Sequence, residues 1–226
     1  MLRNLHFSFL KKLSLSLLLM VLLFLLCLAA LFIVADMVFE DKNMLFDEKV
    51  FEKIKPFVTE INTKIMLAIT LLGSQKFLVP ANLLLIFYFF IVRDNKKTAL
   101  QITAISLTSV IVMFSIKYFL QRQRPLVPLI SKVHGYSFPS GHTFSSVTFF
   151  GILAYIAYRN IKRPLLRWAV IIFLIVCVIL VGFSRVYLRL HYASDVIAGF
   201  SLGVLWLILA EWFLLKTEQT PLQQNL

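Results

Sequence analysis

Three polar islands interrupt an apolar chain, and each carries residues suited to handling an anion. The richest is Ser184 to Asp195, SRVYLRLHYASD, at the end of a long apolar run. It holds Arg185, Arg189, His191 and Asp195. His191 and Asp195 stand four residues apart, one turn of a helix, so the spacing predicts that the carboxylate reaches the ring. A carboxylate bonded to one ring nitrogen fixes the tautomer and leaves the other nitrogen free for chemistry. Arg185 brings a fixed positive fork that suits phosphate. The same stretch also fits a polar membrane boundary with a snorkelling pair of arginines.

The other two islands favour the chemical reading. Lys117-YFLQRQ-Arg124-Pro125 closes one apolar run and leads into a loop. Lys117 and Arg124, about two helical turns apart, can face one site. Arg122, between them, reads as a headgroup anchor. Tyr136-SFPSGH ends at His142. There Pro139 and Ser140 mark a helix start, with Ser140 a natural N-cap. Gly141 presents no side chain to an approaching ligand, and a helix N-terminus offers free N–H groups and positive dipole. A capped helix start accounts for the serine and proline but not for His142. Together the islands offer Lys117, Arg124, Arg185, Ser140 and backbone N–H groups around two histidines and one acid. Charge-assisted hydrogen bonds contribute about 1.5–3 kcal/mol each, so several converging donors can hold a phosphate firmly.

The elements that must position these residues are membrane helices. The chain has 226 residues, 60% of them hydrophobic against 15% charged, with a mean hydropathy of +0.86. A soluble domain of that size carries more charge. Several apolar runs approach the roughly 20 residues needed to cross a bilayer. The composition and runs predict an all-α polytopic membrane protein, one integral membrane domain over 1–226. Six transmembrane helices are expected near 13–35, 74–92, 98–120, 142–158, 168–183 and 192–215, with 65–73 packed near the surface. The first run is too long for a signal peptide and reads as a retained helix. Residues 36–64 form the sizeable hydrophilic segment, with seven acids against five lysines and a plausible amphipathic helix around 47–57.

A net charge of +12 invites a nucleic-acid partner, but the basic residues cluster at the ends of apolar runs, as orientation signals and headgroup contacts do. No nucleic acid is expected. Cys27 and Cys177 both lie inside apolar runs and offer neither a disulfide framework nor a CxxC metal site. Basic loops at 93–97 and 159–167 alternate with the acidic segment 36–64. Positive-inside reasoning therefore puts both termini in the cytoplasm and the three islands on the outer side. Gly199 and Gly203 form a GxxxG step, and Ser145, Ser146 and Gly151 line 142–158. Such residues allow close approach, so these two helices are expected to bring His142 near His191.

Lys117…Arg124-Pro125, then Pro139-Ser140-Gly141-His142, then Ser184-Arg185…His191…Asp195 match K-x6-R-P, P-S-G-H and S-R-x5-H-x3-D in order and spacing. In these motifs, spanning 117–195, the chain resembles the type 2 phosphatidic acid phosphatase superfamily. The resemblance implies a metal-independent lipid phosphate phosphatase with no cofactor and a phosphohistidine intermediate. His191 would be the nucleophile, oriented by Asp195. His142 would protonate the leaving alkoxide and then activate water. Lys117, Arg124, Ser140, Gly141 and Arg185 would hold the phosphoryl oxygens. It assigns nothing to His134, Tyr136 or Arg189; His134 reads as a solvated loop residue.

The rival readings are a lipid phosphotransferase using the same phosphoenzyme, a metal triad, a vanadium haloperoxidase-like site, and a non-catalytic membrane protein. Three nearby cations oppose a divalent metal. A membrane-embedded chain favours lipid over vanadate chemistry. The expected partners are the bilayer and a lipid phosphate such as undecaprenyl diphosphate, phosphatidylglycerol phosphate, phosphatidate or a lipid A phosphate. The expected location is a bacterial inner membrane with a periplasmic or extracellular active site.

Overall fold

The computed structural model describes residues 15–40, 44–130 and 134–216, and they contain helices and no strand. The basic residues Arg3, Lys11 and Lys12 and the acid Asp41 lie outside the described residues. Helix α1 is Leu15–Phe39, and α2 is Leu45–Ile54, followed by a 3-10 turn at Lys55–Phe57. Next come α3 (Glu60–Leu71), α4 (Gln75–Phe87) and a π turn at Tyr88–Val92. The last four are α5 (Lys96–Leu120), α6 (Gly141–Asn160), α7 (Pro164–Tyr187) and α8 (Ala193–Lys216).

The burial pattern is that of a protein whose solvent is lipid. Leu83, Ile111 and Ile179 are exposed, whereas Arg185, His191 and Asp195 are buried. Hydrocarbon accepts the outward leucines and isoleucines but rejects charge, so ionisable groups turn inward and pair. Among the described residues, five stretches are long and apolar enough to cross a membrane: Leu17–Phe39, Glu60–Val92, Lys96–Leu120, Pro164–Tyr187 and Ala193–Trp212. The chain is an integral membrane protein.

The expected helix over 142–158 forms as α6, 20 residues long, but it is less apolar than the five. It packs between α7 and α8 and buries Thr143, Ser146 and Thr148. A helix wrapped by other helices can carry hydroxyls that a lipid-facing one cannot.

The helix expected at 74–92 forms as α4 and the π turn, Gln75–Val92. Ahead of it, most of 65–73 belongs to a separate helix, α3, with a break at 72–74. Thr70 is buried, and α3 packs on α7. Gly73 sits at the break. A Cβ there would lie 2.5 Å from Val181 Cγ1 and 2.8 Å from Ser146 Oγ, so backbone fills the space where a side chain would sit. Helix α2 covers most of the predicted amphipathic stretch. Its Val50, Phe51 and Ile54 pack on Val186, Ala193 and Val196.

The GxxxG step of α8 lies against α6. A Cβ on Gly199 would stand 2.8 Å from the Ser140 carbonyl oxygen, and one on Gly203 would stand 2.7 Å from Val147 Cβ. This close approach brings the start of α6 to the start of α8, so the three polar islands gather at one end of the bundle.

Candidate active site

His191 sits in the short turn between α7 and α8. The Arg185 carbonyl accepts from the N–H groups of Leu190 (3.0 Å) and His191 (3.3 Å), closing the end of α7. Arg189 takes a left-handed φ of 53° as the chain reverses. The expected one-turn relationship is therefore replaced by a cap. Asp195 lies in the first turn of α8, while His191 precedes that helix. Asp195 Oδ2 accepts from the Tyr192 N–H at 2.9 Å, as an acid near a helix start satisfies an orphan donor. That geometry leaves His191 Nδ1 3.5 Å from the same oxygen.

The partners of His191 fix its tautomer. Arg124 Nη1 lies 3.1 Å from His191 Nε2. A guanidinium only donates, so Nε2 carries the lone pair and the ring proton is on Nδ1. Nδ1 faces Ser137 Oγ at 3.3 Å and Asp195 Oδ2. Ser137 itself donates to Asp195 Oδ2 at 2.5 Å. Burial pushes the His191 ring down to a pKa of about 3, against the opposing pull of the Asp195 hydrogen bond and charge. The pair is thus a neutral imidazole against a carboxylate rather than an ion pair.

The cations converge on the same end. Arg124 Nε donates to the Gly135 carbonyl (2.9 Å) and Nη1 to the Leu190 carbonyl (2.7 Å). Burial lowers the Arg124 pKa from its usual value, while the Asp195 charge works against that shift. Lys117 Nζ donates to the Tyr136 carbonyl at 2.7 Å. Arg185 Nη1 donates to Thr70 Oγ1 at 2.8 Å, and its buried Nε has no protein acceptor among the described residues. A buried guanidinium N–H pointing at no acceptor suits an anion.

Ser140 occupies the N-cap position of α6, but its side chain does not cap. Its Oγ accepts from Thr143 Oγ1 at 3.0 Å, and its N–H donates to the Asp195 carbonyl at 2.9 Å. The expected cap is thus replaced by a hydroxyl that accepts from Thr143 and keeps its own hydrogen to donate, and the Ser140 backbone clamps α6 to α8. At Gly141 a Cβ would meet only Lys117 Cε, at 3.7 Å, so the helix start stays open on that side. His142, in the first turn of α6, lies within electrostatic reach of Arg185, His191, Arg124 and Lys117.

Four residues near these eight were not picked out by motif. Arg122 is the clearest correction. Its side chain is 8% exposed, so it cannot anchor a headgroup, and it pairs with Asp195 Oδ1 at 2.6 Å and Asp47 Oδ2 at 2.9 Å. Its proximity in sequence to Arg124 was the available signal. Asp47 and Thr70 gave none, being an acid in an acidic segment and a common hydroxyl, whereas Ser137 lay inside the second island without a motif position of its own. His134 is exposed and borders a recess of 280 Å³ shared with Arg124, Gly135 and Arg189. A larger cavity of 460 Å³, bordered by Arg93, Ile152, Arg159 and Glu211, lies at the other end of the bundle. Among the described residues, no three His, Cys, Asp or Glu side chains come together as a metal site.

This arrangement holds one imidazole with a free, deprotonated nitrogen beside a guanidinium, and a second imidazole nearby. Such a set can attack a bound phosphoryl group and neutralise its charge.

Comparison with known proteins gives the family. The model of the PAP2 superfamily matches residues 98–218. Phosphatidylglycerophosphatase B of Bacillus subtilis (strain 168) is 32% identical over 162 residues, covering 70% of this chain and 76% of that protein. The crystal structure of a transmembrane PAP2-type phosphatidylglycerolphosphate phosphatase from Bacillus subtilis superposes with a TM-score of 0.74. It is 29% identical, covering 89% of this chain and 98% of that one. The LpxE structure from Aquifex aeolicus has a TM-score of 0.56 at 24% identity, covering 74% of this chain and 93% of that one, and shares the fold. The chain belongs to the PAP2 superfamily and is a membrane lipid phosphate phosphatase.

Proposed function

We propose that the chain hydrolyses a lipid phosphate through a phosphohistidine on His191, without a metal. The observation that carries this reading is the 3.1 Å contact of Arg124 Nη1 with His191 Nε2, beside a carboxylate on the Nδ1 side. In the first half-reaction the Nε2 lone pair forms the N–P bond as the P–O bond to the lipid breaks. His142 gives a proton to the leaving oxygen. Asp195 stabilises the positive charge that develops on the His191 ring. In the second half-reaction water forms a new P–O bond while His142 takes its proton. The N–P electrons return to Nε2, and phosphate leaves. Lys117, Arg124, Arg185, Ser140 and the Gly141 backbone hold the phosphoryl oxygens, the main task in phosphoryl transfer.

The substrate we put first is phosphatidylglycerophosphate, because the Bacillus relatives are named for it. We also place the site on the outer face of the membrane, both termini inside, and α6 as a sixth span. Arg93, Lys96, Lys97 and Arg159 to Arg167 at the opposite end of the bundle support that orientation. The test is phosphate release by purified protein in detergent with EDTA, from phosphatidylglycerophosphate, phosphatidate and undecaprenyl diphosphate in parallel. Release that survives EDTA and is lost in His191→Ala supports the reading. Release that requires an added divalent metal contradicts it.

A further inference from the structure

Asp47 belongs to α2, far from the PAP2-matched region 98–218, yet it is fully buried at the end of the bundle that holds His191. A buried carboxylate is costly unless its oxygens are satisfied. Here they are. Asp47 Oδ1 accepts the Ser194 N–H at 2.9 Å, and Oδ2 accepts the Ser194 hydroxyl at 2.6 Å and Arg122 Nη2 at 2.9 Å. The other amino group of Arg122 donates to Ser194 Oγ at 2.7 Å and to Asp195 Oδ1 at 2.6 Å. The guanidinium lies over the Tyr192 ring, 4.2 Å from its centroid. One arginine therefore bridges two carboxylates, and Ser194 closes the ring between them.

The placement has a consequence for Asp195. Its Oδ2 faces Ser137, Tyr192 N–H and His191 Nδ1, while Oδ1 is held by Arg122. We infer that Asp47 and Arg122 are positioning residues. Together they lock the Asp195 carboxylate so that Oδ2 stays aimed at His191. Neither is assigned a contact with the phosphoryl group. Asp47 acts on Asp195 only through Arg122 and through the Ser194 backbone that begins α8. The fork geometry matters, since lysine carries the charge but cannot hold two carboxylates in one plane. This inference rests on the histidine reaction proposed above.

The experiment compares full-length wild type, Asp47→Asn, Arg122→Lys, the double variant and His191→Ala in detergent. It reads kcat, KM, inhibition by inorganic phosphate, and thermal stability. Each single change is expected to lower kcat about tenfold to a hundredfold, as expected when a residue that orients a reacting group is lost. KM and the inhibition constant for phosphate should stay near wild type, because the phosphate seat is intact. The double variant should be little worse than the weaker single variant, because both changes break one linkage. A folded Asp47→Asn or Arg122→Lys with wild-type kcat, beside an inactive His191→Ala, overturns the inference while leaving the histidine reaction standing. Phosphate inhibition lost in parallel with kcat also overturns it, by making the pair part of the seat. If these variants do not fold, Ser194→Ala removes one hydroxyl from the ring. A severalfold loss of kcat at unchanged KM supports the inference, and wild-type kcat overturns it. Turnover that survives in His191→Ala defeats the histidine reaction itself, and this inference with it.

Discussion

Arg124 Nη1 lies 3.1 Å from His191 Nε2, so the guanidinium next to the loop stands beside the one ring nitrogen that carries a lone pair. A phosphoryl group bonded to that nitrogen has its oxygens within reach of Arg124. Arg124→Met is therefore expected to lower kcat by about a hundredfold to a thousandfold, the cost of losing a donor at developing charge. Arg124→Lys should recover part of that loss, because the charge returns without the fork. Steady-state kinetics on the three proteins checks this, and equal rates would remove Arg124 from the phosphate seat.

His142 stands at the start of α6, within electrostatic reach of His191 and three cations. If it protonates the leaving oxygen, the penalty for His142→Ala depends on the leaving group. The loss of phosphoenzyme formation should be large for a lipid alkoxide and small for an activated aryl phosphate. Single-turnover rates on both substrates measure this. Equal losses would contradict the acid role.

The contact of Gly199 with Ser140 makes a packing prediction. A Cβ at Gly199 would lie 2.8 Å from the Ser140 carbonyl oxygen, and that backbone carries His142 two residues later. Gly199→Leu should destabilise the protein by about 1–3 kcal/mol through overpacking and reduce turnover in whatever remains folded. At Gly151 the same added carbon meets Leu207 Cδ1, the end of a movable side chain. Gly151→Ala should therefore keep most activity. Thermal unfolding and kcat on both variants check the contrast.

The His191 ring, held down to about 3 from a usual 6.5, makes a pH prediction. Its Nε2 should remain unprotonated from pH 8 to pH 5. Nitrogen NMR of histidine-labelled protein would follow this, and a His191 titration midpoint near 6.5 would contradict it. The linkage to stability has a definite sign. Between about 6.5 and 3 the unfolded ring binds a proton that the folded ring refuses. This residue therefore withdraws stability as pH falls through that window, and its contribution is fully present above it.

The motif residues were legible because their chemistry and spacing are local. Lys117 to Arg124, Pro139 to His142 and Arg185 to Asp195 each span one helix end or turn. The helices were legible because lipid demands long apolar runs. What escaped was either cross-chain or hidden in composition. Asp47 meets Arg122 across 75 positions, and nothing in an acidic segment distinguishes the acid that folds inward. The break between α3 and α4 falls at the polar step Gly73-Ser-Gln-Lys76, but the helical course of 60–71 before it was not read from the sequence. The His191 and Asp195 spacing suggested a helical turn, and a loop followed by a helix start brought the two groups together instead.

The most direct measurement is chemical trapping of the intermediate. Purified protein in detergent and EDTA would be mixed with phosphatidylglycerophosphate, quenched in alkali where phosphohistidine survives, and mapped by mass spectrometry. The account predicts a phosphoryl group on His191 during turnover, absent without substrate and absent in His191→Ala. Phosphate release at the normal rate with His191 unmodified, or with His191→Ala still turning over, would contradict it.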